Sequence, residues 1–175
     1  MKKKLITLIL TLTLILSLSA AAGAAELDSV NYILSGDSFD VDAIQIEPEF
    51  ILDNGHSVKP NFAFDGDDFY LGADLAINLF REEEFNLDLH LMVTNEVDNQ
   101  SFGKAIGASA RTLNPDVNFY WHTYYFIDSD LNNHAYYRGG VDYPISDTVN
   151  LDISIGNFYW DLDSTVLNLG LKFKL

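Results

Sequence analysis

Every second residue of FYLGADLAINLF, residues 69–80, is apolar from Phe69 to Leu79. Phe69, Leu71, Ala73, Leu75, Ile77 and Leu79 share one parity, and Tyr70, Gly72, Asp74, Ala76 and Asn78 the other. Period two belongs to an extended strand, whose successive side chains point to opposite faces. A helix would show apolar spacings of three and four instead. The pattern returns in FNLDLHLMVTN, where Phe85, Leu87, Leu89, Leu91 and Val93 oppose Asn86, Asp88, His90, Met92 and Thr94. It returns in VNFYWHTYYFI, in TVNLDISIGNFYW and in the final VLNLGLKFKL, while SFGKAIGASAR is weaker and rich in Gly and Ala. Such a chain folds as a sheet with one apolar and one polar face.

Turn residues such as DGDD and REEE separate these segments. Together with the stretch Ser57 to Phe64 they make about eight antiparallel strands, each joined to the next by a short turn. Residues 56–175 hold that domain. Residues 26–55 read as an N-terminal arm or as additional strands, which would raise the count to ten. Pro48 sits in the middle of this region, and a residue without an N–H fits poorly in a central strand.

Lys2, Lys3 and Lys4 precede an uncharged, largely apolar run from Leu5 to Ser19 and then the small residues AAAGAA, ending at Ala25. This is the make-up of a secretory signal peptide over residues 1–25, and the run is shorter than a spanning helix requires. Removing those three lysines takes the formal net charge from −16 to −19. A surface so acidic repels nucleic acid, which is excluded as a partner. Yet 48% of residues are hydrophobic and 13% aromatic, far from the composition of a disordered acidic tail. There is no cysteine and therefore no disulfide.

Three features bear on whether the apolar face meets lipid or a core. Several segments alternate for ten residues or more, where globular strands average about five or six and a membrane-crossing strand needs about ten. The polar face holds Asn, Asp, His, Ser and Gly together with charges of both signs, which suits a narrow lumen where charges must pair. Phe69, Phe80, Phe85, Phe102, Tyr143, Tyr159, Trp160 and Phe173 fall near strand ends, as interfacial girdles do. These favour an up-and-down transmembrane β-barrel. Its lumen-lining charge network is expected at Asp74, Asp88, His90, His122, Arg138, Asp152 and Lys172. The alternative is a soluble periplasmic or secreted barrel, lipocalin-like, whose alternating Leu and Phe enclose a small apolar ligand.

A transmembrane barrel of this kind places alternate connections on one side. DGDD, NEVDNQ, DSDLNN and DLDS would lie there, carrying Asp65, Asp67, Asp68, Glu96, Asp98, Asp128, Asp130, Asp161 and Asp163 with no Lys or Arg among them. This acidic outer rim suits divalent cations or simple solubility. The opposite turns, REEE, RTLNPD and YPISD, are mixed, with Arg81 and Arg111 among the acids. In DSDLNN, Asp128, Asp130 and Asn132 occupy the first three ligand positions of an EF-hand, but Asn133 and Gly139 stand where its turn Gly and bidentate Glu belong. No nucleophile, zinc, phosphate-binding or dinucleotide motif occurs. No cofactor, metal or catalytic residue is expected, and a lipid-modifying barrel enzyme built on a His–carboxylate pair such as His90 and Asp88 is the remaining alternative.

The alternating strands and the exported start resemble small bacterial outer-membrane β-barrels, of the OmpA-type transmembrane domain or the YfaZ-type porin-like proteins. The resemblance covers roughly Ser57 to Leu175. Its strongest element is the last strand, where Leu167, Leu169, Leu171 and Phe173 match the alternation read by barrel-assembly machinery and Leu175 departs from the usual terminal Phe or Trp. The resemblance implies outer-membrane location, lipid and that machinery as partners, and a structural or narrow porin-like role with passage of small solutes.

Overall fold

The computed structural model describes residues 25–36, 41–66, 68–96, 101–128, 135–158 and 164–175. They form ten strands: β1 Ala25–Gly36, β2 Ala43–Leu52, β3 Ser57–Asp65, β4 Asp68–Arg81, β5 Phe85–Glu96, β6 Ser101–Thr112, β7 Asn118–Asp128, β8 Ala135–Pro144, β9 Val149–Gly156 and β10 Val166–Lys174. Each strand pairs antiparallel with the next. β1 pairs with β10 from Ser29↔Lys174 to Gly36↔Leu167 and closes the barrel. The count is ten because residues 26–55 contribute β1 and β2 to the wall. The first 24 residues lie outside those described.

Pro48 therefore stands in a wall that has no edge. The ladder between β2 and β3 pairs Ile46 with Phe62 and next pairs Phe50 with Val58. Between these points Pro48 lies across from Pro60, and both lack the donor that a ladder needs. Pro48 keeps its place through β1, opposite Val30, and Pro60 through β4, opposite Ala73. Two prolines facing each other confine the missing hydrogen bonds to one short gap.

The apolar parity lies outside. Leu167, Leu169 and Leu171 are 60%, 50% and 40% exposed, and the outward residues of every neighbouring strand are likewise apolar. An apolar ligand enclosed by leucines, as the lipocalin-like alternative required, has no counterpart here, since the leucines stand on the other side of the wall. Three bulges, at Asp28, Leu79 and Ile127, add an unpaired residue to β1, β4 and β7 and shift the parity locally. After the second, Leu79 and Phe80 both face outward, and Phe80 meets Phe85 at 6.5 Å between ring centres. On the outer wall Trp121 stacks on Tyr137 with planes 11° apart, covering the bare backbone of Gly139.

At the turn between β2 and β3, Gly55 adopts φ 79°, a conformation that costs a side-chain-bearing residue but not glycine. Its N–H reaches Leu52 O at 2.8 Å, and Leu52 N–H donates to His56 O at 2.8 Å. This end of the barrel, with the turns at 82–84, 113–117 and 145–148, is called the turn side. Both chain ends of the barrel lie there. The other end is the loop side.

Candidate functional site

The loop-side half of the interior is packed with apolar side chains. Ala63, Tyr70, Met92, Ala105, Tyr124 and Phe126 form one cluster, with Tyr136 against it. The weak alternation of β6 has a purpose here. Its inward residues Gly103, Ala105 and Gly107 are small, and the rings of Phe126 and Tyr124 on the next strand lie over the two glycines. A methyl group on Gly103 would meet the Phe126 ring at 3.0 Å, and one on Gly107 would also strike Thr123 O. Ala43, Phe158 and Val166 make a second small cluster nearby.

The turn-side half is charged. Arg138 on β8 donates through Nη2 to Asp152 Oδ1 at 2.8 Å and through Nε to Ser154 Oγ at 2.9 Å. Its Nη1 lies 3.7 Å from Glu47 Oε2 on β2, across the barrel. Tyr120 O–H donates to Asp152 Oδ2 at 2.5 Å. The Tyr120 ring is flanked by the guanidinium groups of Arg138 and Arg111, each 5.7 Å from its centre. Glu49 on β2 takes Lys59 at 3.2 Å and Lys172 at 3.2 Å, so one carboxylate joins β3 and β10. The Glu49–Lys59 pair spans the proline gap and supplies side-chain attraction where the ladder supplies none. Arg111 Nη2 faces Asp142 Oδ2 at 3.8 Å.

Between these halves runs a hydrogen-bonded row on adjacent strands. His90 is fully buried; its Nδ1 meets Asp74 Oδ2 at 2.7 Å and its Nε2 meets Ser109 Oγ at 2.7 Å. Tyr124 O–H donates to Asp74 Oδ2 at 3.0 Å. Both ring nitrogens of His90 thus have an oxygen partner, one on β4 and one on β6. This has the bond pattern of an acid–His–Ser relay. His122 stands directly opposite Ser109 in the ladder, and its ring centre is 5.7 Å from that of His90.

Among the described residues the interior holds a cavity of about 80 Å³. Of the residues expected to line the lumen, Asp74, His122, Arg138, Asp152 and Lys172 border it. His90 lies behind it, and Asp88 lies toward the turn side, held by Asn78 and Asn86 at 2.9 and 2.7 Å. Asp142, a polar-face charge in the sequence, borders it too, as do Glu47, Glu49, Lys59, Arg111 and Tyr120, which are not singled out from the sequence as lumen charges. Arg111, placed by the sequence in a turn, is an inward residue of β6. The inward parity of β6 and β8 marks Arg111 and Asp142, whereas no pattern marks Glu47 and Glu49 across an interrupted strand.

On the acidic rim, Asp65 and Asp68 pair across the β3–β4 connection. Glu96 and Asp128 end β5 and β7 at the same side. Asp67, Asp98, Asp130, Asp161 and Asp163 lie outside the described residues. Among the described residues no group of three or more His, Asp or Glu converges as a metal site.

The chain matches no protein-family profile and no curated protein sequence. Among solved structures its fold is similar to that of the KdgM porin, with a TM-score of 0.58 at 8% identity over 84% of this chain and 99% of that one. The de novo designed TMB2.3 overlaps it with a TM-score of 0.46 at 13% identity, over 87% of this chain and 96% of that one. Neisserial surface protein A gives 0.31 at 12% identity, over 87% and 99%. The last two overlap too loosely to bear on the fold. The first shares the closed antiparallel barrel.

Proposed function

We propose that this chain is a bacterial outer-membrane barrel with a narrow porin-like role, admitting water and small solutes to a charged lumen. The observation that carries the reading is the inversion of a soluble fold: apolar side chains cover the outside and paired charges line a cavity within. Only a surrounding apolar solvent favours an exterior of that kind. The porin-like fold shared with KdgM agrees with it, and the resemblance to OmpA-type and YfaZ-type barrels rests on the same strands. Export through the N-terminal segment, insertion by the assembly machinery reading β10, and divalent cations bridging the acidic rim to lipid belong to the same proposal.

Size sets the solute. The cavity of about 80 Å³ holds about half a dozen waters and falls well below the roughly 300 Å³ at which small-molecule pockets begin. Where the loop-side cluster stays closed, the role is structural. The reading gives Asp74, His90 and Ser109 no catalytic step, because neither His90 nor Ser109 borders the cavity.

The test is a paired refolding of residues 26–175 in buffer and in detergent, read by far-UV circular dichroism and by a boiled-versus-unboiled gel shift. Structure and a heat-modifiable band in detergent alone are expected. A folded monomer in plain buffer would remove the membrane assignment. Silence in planar bilayers, both from this chain and from variants that open the loop-side cluster, would remove the porin-like role and leave the structural one.

A further inference from the structure

The buried side-chain atoms that find no hydrogen-bond partner are all oxygens. Among the described residues they are Ser29 Oγ, Asn31 Oδ1, Asp74 Oδ1, Asp142 Oδ1 and Asn150 Oδ1. The first four belong to residues that border the cavity, and Ser29, Asp74 and Asp142 are at most 3% exposed. Carboxylate and amide oxygens accept hydrogen bonds and cannot donate them.

The basic groups of the same wall are in the opposite condition. Lys59 and Lys172 both reach Glu49 at 3.2 Å, Arg138 reaches Asp152 at 2.8 Å, and Arg111 faces Asp142 at 3.8 Å. The lining counts five carboxylates against four Lys and Arg side chains. Positive charge is therefore paired, while Asp74 and Asp142, both residues of the cavity wall, each keep one carboxylate oxygen without a hydrogen-bond partner. An anion entering this space meets one more carboxylate than basic group and competes for Lys59, Lys172, Arg138 and Arg111 with the carboxylates already beside them. A small cation, or the hydrogens of its hydration shell, meets acceptors that cost nothing to free.

We propose that the lumen selects small monovalent cations over anions, with Asp74 and Asp142 as the selecting carboxylates. The inference rests on the porin-like reading above. It differs from an attraction at the acidic rim, because the selecting atoms lie inside the barrel wall.

The experiment is the reversal potential of refolded residues 26–175 in a planar bilayer under a tenfold KCl gradient. Potassium should permeate better than chloride, by less than the about tenfold enrichment that a cleft lined by one sign of charge gives, because five carboxylates here face four basic groups. Asp142→Asn and Asp74→Asn should each bring the ratio toward one. Open channels that pass both ions equally, or favour chloride, would overturn the inference and leave the porin-like reading standing. A ratio that neither substitution changes would overturn the assignment to these two carboxylates. Should the unaltered chain be silent, Phe126→Ala and Met92→Ala open the loop-side cluster from two different strands, each checked for folding by the gel shift. Silence from all three would remove the porin-like reading and this inference with it.

Discussion

The loop-side half of the lumen is filled by shape and the turn-side half by charge. In the first, Phe126 and Tyr124 lie against Gly103 and Gly107, and what matters is whether a ring fits over a bare backbone. In the second, Glu47, Glu49, Arg138 and Asp152 meet across strands that are not all neighbours, and what matters is that no charge is left alone. The two solutions occupy one tube because the strands supply the same parity throughout and only the residue types on it change. They fail differently. Packing tolerates a partner of nearly the right volume, whereas a buried ion pair tolerates the loss of both members better than the loss of one.

That contrast can be broken at its strongest point. Arg138→Ala leaves Asp152 and Glu47 without their cation and should lower unfolding stability by about 3–5 kcal/mol, read from denaturant midpoints in detergent. Phe126→Ala should cost about 3 kcal/mol from the vacated volume and, unlike the arginine change, should raise single-channel conductance. Gly107→Ala drives a methyl into the Tyr124 ring and the Thr123 carbonyl, with an expected loss of about 1–3 kcal/mol and little dependence on salt. Replacing Glu49 with Gln weakens two ion pairs at once and should cost about 1–2 kcal/mol, more when Lys59 and Lys172 are kept than when both are also made neutral. The smallest effect belongs to Ser109→Ala, about 1 kcal/mol from one hydrogen bond, with conductance unchanged. A large loss of conductance there would show that the His90 row does more than brace three strands.

The difference between the halves also explains how far the sequence could be read. Which residues share a face follows from period two alone, so Asp74, His90, Arg138 and Asp152 can be grouped from their positions in alternating segments. Which of them meet depends on stagger around the barrel, and alternation says nothing of stagger. Glu47 reaching Arg138 is a contact between residues 47 and 138 across the tube, with no trace in either segment. Strand number was hard for a local reason: Pro48 argues for an edge, and only the pairing of β2 with both neighbours shows that a second proline, Pro60, lets the wall absorb it. The glycines of β6 weakened the strand signal and turned out to seat two rings. Ser109 carries no motif, and its place beside His90 comes from the β5–β6 register.

A closed barrel has no ends from which to unravel, so its rupture must begin by tearing a seam. Ten seams join these strands, and only the one between β2 and β3 combines a ladder break with prolines on both sides. There the wall is stitched by a single carboxylate and the lysine beside it. Mechanical or denaturant stress should open the molecule at that stitch first, parting β2 from β3 and leaving a curved sheet that runs from β3 through β10 and β1 to β2 and still holds the His90 row. Amide exchange would show this as early loss of protection in residues flanking Pro48 and Pro60. The seam that made the N-terminal strands hard to read is also the place where the barrel would come undone.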